Sequence, residues 1–488
     1  MSLTLHPVVP EATEQSPDPL RPIYHFLPPA NWLNDPNGFI QWRGRYHLFY
    51  QHNPAGPFHG DIHWGHAASA DLVRWEHRPV ALAPTPGGPD AGGCWSGTAV
   101  DAGGRPMVFY TGVFPQTVCA ALGSDDLDTW AKHPANPLIA APPPGFGSQT
   151  GDFRDPFVWR EGEVWWLVIG SRVAGGGGAV LLYRSADLLA WEYVAPLLVG
   201  QATPDAPLWT GTVWECPNLF PLGGRHVLVV SFQNHDSGQL LYSGYMLGDF
   251  VDGRFTGGPF RPLEYGETLY APQVTIDASG RVVLIGWLKE GRDGAAQRAA
   301  GWSGVMSLPR LLSLGDDDTL RFRPAPALAE LRGEHVHVEP RLFRPGDANP
   351  LAALRGGSLE IDAVLEPAGA TAFGLAWCEP GCDPLAAVGC TSLRGDVAAG
   401  TITIETDSLP RNSVSKAWHT APLPAGPVRL RVYIDRSVVE VFVDDRAVLS
   451  GRCYPAQPEG MGVVLWAEGG AVRVAALDGW QMGSIWAA

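Results

Sequence analysis

The feature that most constrains the fold is a seven-residue pattern, Ser-x-Asp-Leu-x-x-Trp, which occurs three times. The copies read SADLVRW at 69–75, SDDLDTW at 124–130 and SADLLAW at 185–191, so their offsets are 55 (124 − 69) and 61 (185 − 124) residues. Repeats of this length, made of short strands and turns rich in Gly and Pro, are typical of propeller blades with four strands each. About five such units fit between residues 22 and 312, which predicts a five-bladed β-propeller.

A second periodicity presents polar side chains once per unit. Steps of 60 residues from Asp35 reach Trp95, Asp155 and Glu215 (35, 95, 155, 215), and Ser96 follows the second of these positions. The first strand of each blade lines the central axis of a propeller. We therefore expect Ser96 and the three carboxylates to converge at that axis although they are far apart in the chain.

Asp35 lies in the sequence NDPNG at 34–38, just before an apolar, strand-like run at 39–50. Pro36 fixes its own φ, and Asn37 followed by Gly favours a tight reversal. Asn34 and Asn37 would surround the carboxylate with amides, as in many sugar-binding sites. An Asx turn that caps a hairpin would use the same residues, so both interpretations stay open here.

The bulk composition excludes several classes of function. The net charge of −16 argues against nucleic acid or an anionic membrane as partner. No apolar run approaches the roughly 20 residues of a membrane span. Residues 1–20 contain neither Lys nor Arg and no apolar signal segment. From these observations we expect a cytoplasmic enzyme with a neutral substrate.

The seven cysteines are odd in number and scattered, which predicts no disulfide framework. Cys378, Cys382 and Cys390 form a cluster, but no paired histidines accompany them, as a zinc site would require. The sequence therefore predicts neither a metal ion nor a cofactor.

Four segments follow from changes in composition. Residues 1–21 are expected to form a mobile tail, 22–312 the propeller, and 313–340 a linker with a short helix that starts at Pro-Ala-Pro. From 341 to 488 the chain alternates apolar and polar residues, most clearly at 428–434, as strands of a β-sandwich do. The predicted fold class is therefore all-β, a five-bladed propeller followed by a sandwich.

Three carboxylates in an aromatic, amide-rich pocket suggest chemistry at a glycosidic bond. One carboxylate must attack or stabilise the anomeric carbon, another must protonate the leaving oxygen, and a third can hold ring hydroxyls. Gln51 and Trp64 could line the pocket by hydrogen bonding and stacking, or they could simply pack within a blade. Arg154 could pair with Asp155 or donate to sugar hydroxyls.

The chain resembles glycoside hydrolase family 32, the family of invertases, levanases and inulinases. The resemblance covers nearly the whole chain. It rests on ten ordered motifs: WLNDPNG at 32–38, FYQ at 49–51, WGH at 64–66, WSG at 95–97, RDP at 154–156, WECP at 214–217, YAPQ at 270–273, GW at 286–287, SLPR at 307–310 and DRSVVEVF at 435–442.

The resemblance implies a retaining double displacement on a terminal fructosyl unit. Asp35 would be the nucleophile and Glu215 the acid/base, with their carboxyl groups about 5–5.5 Å apart. Asp155 would stabilise the transition state. The implied sugar-binding residues are Asn34, Pro36, Asn37, Gln51, Trp64, Trp95, Ser96, Arg154 and Trp287.

The partner implied is a small sugar, and several substrates remain open. They are sucrose, phosphorylated sucrose, inulin and levan, with fructosyl transfer as an alternative reaction and an inactive sugar-binding propeller as an alternative class. Trp95, Phe157 and Asn218 depart from the commoner residues of the family (Phe, Lys and Asp), and all three lie near the predicted pocket. The sequence gives no indication of oligomeric state.

Overall fold

The computed structural model describes residues 18–147, 151–201, 208–379, 381–383, 389–406 and 419–486. Within them, no helix is long and apolar enough to cross a membrane. Most of the predicted mobile tail, residues 1–17, lies outside the described residues.

The described residues before Pro326 form five mainly antiparallel sheets, each with four principal strands. Sheet 1 contains β1 (Asn31–Trp42), β2 (Arg45–Asn53), β3 (His63–Ser69) and β4 (Trp75–Leu82). Sheet 2 contains β5 (Gly93–Asp101), β6 (Pro106–Val113), β7 (Thr117–Gly123) and β8 (Trp130–Lys132). Sheet 3 contains β9 (Phe153–Glu161), β10 (Val164–Arg172), β11 (Gly178–Ser185) and β12 (Glu192–Val199).

The last two sheets have small additions. Sheet 4 contains β13 (Val213–Leu222), β14 (Arg225–Gln233), β15 (Leu240–Val251) and β16 (Arg254–Gly257), with the short β17 (Arg261–Pro262) beside β15. Sheet 5 is built from β18 (Leu269–Ile276), β19 (Val282–Leu288), β22 (Arg310–Leu314) and β23 (Leu320–Pro324). Between its strands lie helix α1 (Gly294–Ala300), β20 (Trp302–Ser303), which pairs with β1, and β21 (Val305–Met306), which pairs with β19.

The repeated heptapeptide is the turn between the third and fourth strands of the first three sheets. In the first copy Asp71 Oδ1 accepts from the backbone N–H groups of Val73 and Arg74, and Trp75 Nε1 donates to Leu72 O at 3.0 Å. The leucine takes a left-handed φ of 74°. The copies at 124–130 and 185–191 also place the indole on the leucine carbonyl. The repeat is thus the turn that leads into the fourth strand of each of the first three blades.

The five sheets form a closed ring. The innermost strands β1, β5, β9, β13 and β18 contact one another in this order, and β18 contacts β1 again. Gln273 of β18 ties the ring together, because its side chain accepts from Phe39 N at 2.8 Å and donates to Gly97 O at 2.7 Å. This arrangement is a five-bladed propeller.

Two further sheets form the C-terminal sandwich, which follows a 3₁₀ helix at Pro326–Leu331. One sheet contains β24 (Arg332–Val338), β25 (Arg341–Phe343), β26 (Ser358–Ala368), β31 (Val428–Asp435), β32 (Val438–Val443), β33 (Ala447–Arg452) and β35 (Ala471–Met482). The other contains β27 (Ala372–Cys378), β28 (Cys390–Asp396), β29 (Thr401–Thr406), β30 (Thr420–Pro422) and β34 (Gly462–Glu468). A second 3₁₀ turn lies at Pro458–Gly460.

Three predicted boundaries differ from the structure. Asp18 accepts from Arg292 and from Trp302 Nε1 (2.9 and 2.8 Å), so residues 18–21 belong to the folded part and not to the tail. Sheet 5 continues to Pro324, beyond residue 312, because β22 and β23 form its outer hairpin. The sandwich begins at Arg332, before residue 341, because β24 pairs with β35.

The expectation of no disulfide is wrong for one pair of cysteines. Cys378 and Cys390 are direct cross-strand partners in β27 and β28, and the two sulfur atoms are bonded. The sequence did not reveal this pairing because it depends on the register of the two strands. Cys382 is a free thiol.

A buried charged cluster joins the N-terminal segment, the propeller and the sandwich. The Asp435 carboxylate accepts from the backbone N–H groups of Ile23, Tyr24 and His25 and from His25 Nδ1, at 2.8–3.1 Å. Glu440 lies 3.2 Å from His25 Nε2 and 2.6 Å from Arg310 Nη2. The side chains of His25, Asp435, Glu440 and Arg310 are all fully buried.

These contacts set the pKa directions in the cluster. Burial opposes ionisation of Asp435, but the hydrogen bond to His25 and the backbone donors outweigh it and lower the pKa of Asp435. Burial likewise opposes the charge on His25, and its bonds to Asp435 and Glu440 outweigh that effect and raise its pKa. Asp435 therefore adds stability above the ordinary aspartate pKa, and that stability is lost as the pH falls.

We predict that Asp435→Asn lowers the free energy of unfolding at pH 7 by about 3–5 kcal/mol, because an amide leaves buried donors and His25 without their anion. The difference from wild type should shrink as the pH falls below about 4, because the unfolded wild-type chain then binds a proton at this carboxyl group while the folded carboxylate, with its lowered pKa, still resists it. Urea unfolding followed by tryptophan fluorescence at several pH values measures both effects. Asp362→Asn, at a partly exposed pair with Arg429, is the matched control and should cost less than about 1 kcal/mol. Equal losses in the two variants would contradict the assignment.

Candidate active site

Each innermost strand is interrupted by a β-bulge, and the predicted site residues lie at or beside these bulges. At each bulge one or two residues have no partner in the ladder with the second strand of the blade. These residues are Asn34 and Asp35 in β1, Ser96 in β5, Asp155 and Pro156 in β9, Cys216 and Pro217 in β13, and Ala271 and Pro272 in β18. A bulge leaves residues out of the ladder and redirects their side chains. Proline, which lacks an N–H, is tolerated at such positions.

Three of the bulges contain a non-glycine residue in the left-handed region, namely Asp155 (φ 66°), Cys216 (φ 47°) and Ala271 (φ 46°). In each case a side chain accepts the N–H that the ladder no longer uses. Asp155 N donates to Thr111 Oγ1, Cys216 N to Asp155 Oδ2 and Ala271 N to Ser231 Oγ, at 2.8, 3.0 and 3.0 Å. The strained backbone is therefore stabilised by side chains at the axis.

The Asp35 carboxylate is held by neutral donors. Asn34 Nδ2 donates to Oδ1 at 3.0 Å, and both Ser96 Oγ (2.6 Å) and Gln51 Nε2 (3.0 Å) donate to Oδ2. Trp32 Nε1 donates to Asn34 Oδ1 at 2.6 Å and so fixes the orientation of that amide. Three of the predicted sugar-binding residues thus position this carboxylate.

Burial is the main cause that raises the pKa of Asp35, to about 6, and the nearby Glu215 raises it further. The hydrogen bonds from Ser96 and Asn34 act in the opposite direction. The donors therefore favour the ionised form of Asp35 against the effect of its burial.

Asp155 lies deeper, with 5% of its surface exposed. Burial raises its pKa, Arg154 opposes that shift, and the carboxylates of Glu215 and Asp35 add to it. The thiol of Cys216 lies between two of the acids, with Sγ 3.7 Å from Asp35 Oδ2 and 3.5 Å from Asp155 Oδ2. The structure thus brings the three predicted carboxylates together.

Glu215 is held by charged and phenolic donors, in contrast to Asp35. Arg154 donates from Nε to Glu215 Oε1 at 2.9 Å, and its Nη2 lies 2.8 Å from the same oxygen as an ion pair. Tyr270 Oη donates to Glu215 Oε2. Arg154 is itself fixed by Asp152 (3.2 Å) and by Gln233 Oε1 (2.9 Å). Its ion-pair partners in the structure are therefore Glu215 and Asp152, and the described contacts include no ion pair between Arg154 and the neighbouring Asp155.

The predicted aromatic residues fall into two groups. Trp64 is fully buried in the first blade and donates to Trp95 O at 3.0 Å, so it supports the pocket wall from behind. Trp287 packs against Trp32, with ring centroids 6.0 Å apart, and its buried Nε1 has no partner among the described residues. Trp95 is half-buried beside His59, at a centroid distance of 5.9 Å.

Pro36 and Asn37 follow Asp35 in β1, at the point where the strand resumes its ladder with β2. Both are buried in β1, where they pair with Tyr50 and Phe49 of β2. With its amide oriented to satisfy its neighbours, Asn37 donates to Ser96 Oγ at 3.3 Å and accepts from Gln51 N at 3.1 Å. Neither residue has a hydrogen bond to the three carboxylates among the described contacts, and their predicted contact with a sugar stays a prediction.

Sequence reasoning did not assign roles to several residues that the structure places in the site. They are Trp32, Thr111, Asp152, Cys216, Gln233 and Tyr270. Two of them had a usable signal, since Cys216 and Tyr270 flank the bulge prolines of β13 and β18. Gln233 had none, because it reaches the site from the second strand of its blade.

A pair of half-buried, differently held carboxyl groups, with a third beside them and aromatic residues around, is typical of a glycoside hydrolase. The sequence comparisons give the family. The descriptions "Glycosyl hydrolases family 32 N-terminal domain" and "Glycosyl hydrolases family 32 C terminal" match residues 25–324 and 328–481. The chain belongs to glycosyl hydrolases family 32.

Characterised relatives are similar over most of their length. The chain is 32% identical to sucrose-6-phosphate hydrolase of Escherichia coli over 95% of both chains. It is 33% identical to raffinose invertase of Escherichia coli over 89% of both chains. Its structure resembles that of fructan 1-exohydrolase IIa from Cichorium intybus, with a TM-score of 0.82 and 26% identity over 96% of this chain and 98% of the other.

We predict that Ser96→Ala moves the acid limb of the pH–rate profile to higher pH, because the loss of its hydrogen bond raises the pKa of Asp35. A bond of about 1 kcal/mol corresponds to roughly 0.5–1 pH unit. Initial rates of fructoside hydrolysis between pH 4 and 8 measure the shift. Ser303→Ala is the control, because that buried hydroxyl donates to Gln297 and should leave the profile unchanged. An acid limb that stays in place in Ser96→Ala would show that Asp35 does not set it.

Proposed function

We propose that this enzyme releases terminal β-D-fructofuranosyl units from sucrose and related fructosides by double displacement with retention. The observation that carries the proposal is the unequal treatment of two neighbouring carboxyl groups. Asp35 is oriented by three neutral donors, whereas Glu215 is held by Arg154 and Tyr270. Two carboxyl groups in different environments are suited to two different roles.

In the first step Asp35 attacks C2 of the fructosyl unit while Glu215 protonates the glycosidic oxygen. The C2–O bond to the leaving sugar breaks, a covalent fructosyl ester forms on Asp35, and the leaving sugar departs with the proton of Glu215. The donors on Asp35 fix the direction of the attacking oxygen. Cys216 Sγ lies 3.7 Å from Asp35 Oδ2 and limits the space on that side of the carboxylate.

In the second step Glu215 accepts a proton from water as the water oxygen attacks C2. The ester bond breaks, fructose leaves with its original anomeric configuration, and both carboxyl groups return to their starting states. Asp155, with its neighbour Arg154, binds fructose hydroxyls and stabilises the positive charge that develops on the ring. Trp287 Nε1, which has no hydrogen-bond partner in the part of the chain that the structure describes, is a donor suited to another hydroxyl.

Sucrose is the substrate that we favour, with the raffinose invertase as support, whereas the sucrose-6-phosphate hydrolase supports the phosphorylated sugar. Three alternatives use the same chemistry with a different leaving group or acceptor. They are exo-hydrolysis of inulin or levan, hydrolysis of phosphorylated sucrose, and fructosyl transfer. An inactive sugar-binding propeller is disfavoured because all three carboxyl groups are in place. Fructose release from sucrose, sucrose 6-phosphate, raffinose, inulin and levan, with binding of each measured separately, ranks these alternatives. Binding without release from any of them would refute the proposal.

Retention has its own test. A separation of about 5–5.5 Å between the Asp35 and Glu215 carboxyl groups stays a prediction of the retaining mechanism. Proton NMR of methanolysis products should show the β-methyl fructofuranoside first. Initial formation of the α-anomer would indicate inversion and would remove the nucleophile assignment.

We predict that Glu215→Ala loses roughly 10⁴-fold or more of the activity on sucrose but much less on an aryl fructoside, because an acidic phenol leaves without protonation. Asp35→Ala removes the covalent step, so both substrates should suffer alike. Asp155→Ala should also affect both, since it acts on the fructosyl ring. Steady-state kcat/KM values on the two substrates give the comparison.

The contrast between substrates decides the roles. If Glu215→Ala lost equal factors on both substrates while Asp35→Ala depended on the leaving group, the two assignments would be exchanged. Ser303→Ala again serves as the control and should retain wild-type ratios.

A further inference from the structure

Outside the propeller, three potential metal ligands meet on the surface of the sandwich. His335 and His337 lie on β24, and Asp478 lies on the neighbouring β35. Residues two apart in a strand point to the same face, and the register places His337 directly opposite Asp478 and His335 opposite Trp480. One ligand atom from each of the three side chains lies within 4.8 Å of the others.

The three side chains already converge on one point. His335 Nε2 and His337 Nδ1 each lie 2.8 Å from the same oxygen, Asp478 Oδ1. Ligand atoms around one zinc ion, at bonds of about 2.0–2.2 Å, are roughly 3–3.5 Å apart. Small rotations of these side chains therefore suffice to admit an ion between them. The side chains are 45%, 49% and 29% exposed, so solvent reaches the site and water can complete the coordination.

Neighbouring groups hold the imidazoles in place. The His335 ring stacks on Trp480, with centroids 4.9 Å apart and an angle of 4°, and Arg332 covers the Trp480 ring at 3.8 Å. A Glu339 oxygen lies 3.6 Å from His337 Nε2, the nitrogen that faces away from the cluster. A carboxylate at the second nitrogen of a ligating histidine is a common feature of metal sites.

We propose that His335, His337 and Asp478 form a binding site for a divalent transition-metal ion of the zinc type. Two imidazoles and one carboxylate favour Zn²⁺ and its neighbours over Mg²⁺ or Ca²⁺, which prefer oxygen ligands. The ion joins β24, the first strand of the sandwich, to β35, its last strand. It binds the folded chain and so stabilises the sandwich, without a part in the chemistry at the propeller axis.

The test uses the full-length enzyme, freed of metal with EDTA and dialysed. Calorimetric titration with ZnCl₂ should show one saturable site in the wild type, and an excess of zinc should raise Tm. His337→Gln and Asp478→Asn should each lose more than about 100-fold in zinc affinity and show no rise in Tm. CaCl₂ should produce no comparable heat.

His133→Gln is the matched control, because His133 is a half-buried histidine of the propeller, and it should bind zinc like the wild type. Fructoside hydrolysis by the metal-free proteins shows that every variant is folded. The proposal is overturned if the wild type shows no saturable binding up to about 1 mM zinc. It is equally overturned if the folded His337→Gln and Asp478→Asn variants bind zinc as tightly as the wild type.

Discussion

The site depends on one constraint, the need to satisfy backbone groups where five strands meet at the propeller axis. Each inner strand leaves its ladder at a bulge, and the N–H groups released in three of the bulges are accepted by Thr111, Asp155 and Ser231. One of these acceptors is a carboxylate of the site itself. The interactions that close the ring therefore also fix the geometry of the acids, and a change in one strand register would displace the neighbouring residues as well.

Part of this arrangement could be predicted from the sequence. The spacing of the three heptapeptides predicted the length of a blade. The regular spacing of Asp35, Asp155 and Glu215 predicted that they lie together at the axis. Three of the five bulges contain a proline, at residues 156, 217 and 272, and Pro36 directly follows a fourth. Proline in an otherwise apolar strand signals a break in the ladder. That signal could also have pointed to Tyr270 and Cys216.

Other features could not be predicted because they depend on long-range register. Gln233 binds Arg154 from a second strand, and Cys378 meets Cys390 only because β27 and β28 pair in one register. The sequence of the sandwich contains no pattern that predicts a catalytic residue. Its DRSVVEVF motif instead supplies Asp435 and Glu440 to the buried cluster with His25 and Arg310. The His-x-His pair at 335 and 337 is visible in the sequence, but its third partner, Asp478, is 141 residues from His337.

The buried cluster has a consequence for how the chain folds as it is synthesised. Ile23, Tyr24 and His25 donate to a carboxylate that lies 410–412 residues further along the chain. During synthesis on a ribosome, the backbone donors of the N-terminal segment therefore cannot bind this carboxylate until almost the whole chain has been made. Propeller blades can form in sequence during that time, whereas the segment and the domain interface are completed last. Because the chain is made from its N-terminus, the propeller and the sandwich are therefore joined in one step near the end of synthesis.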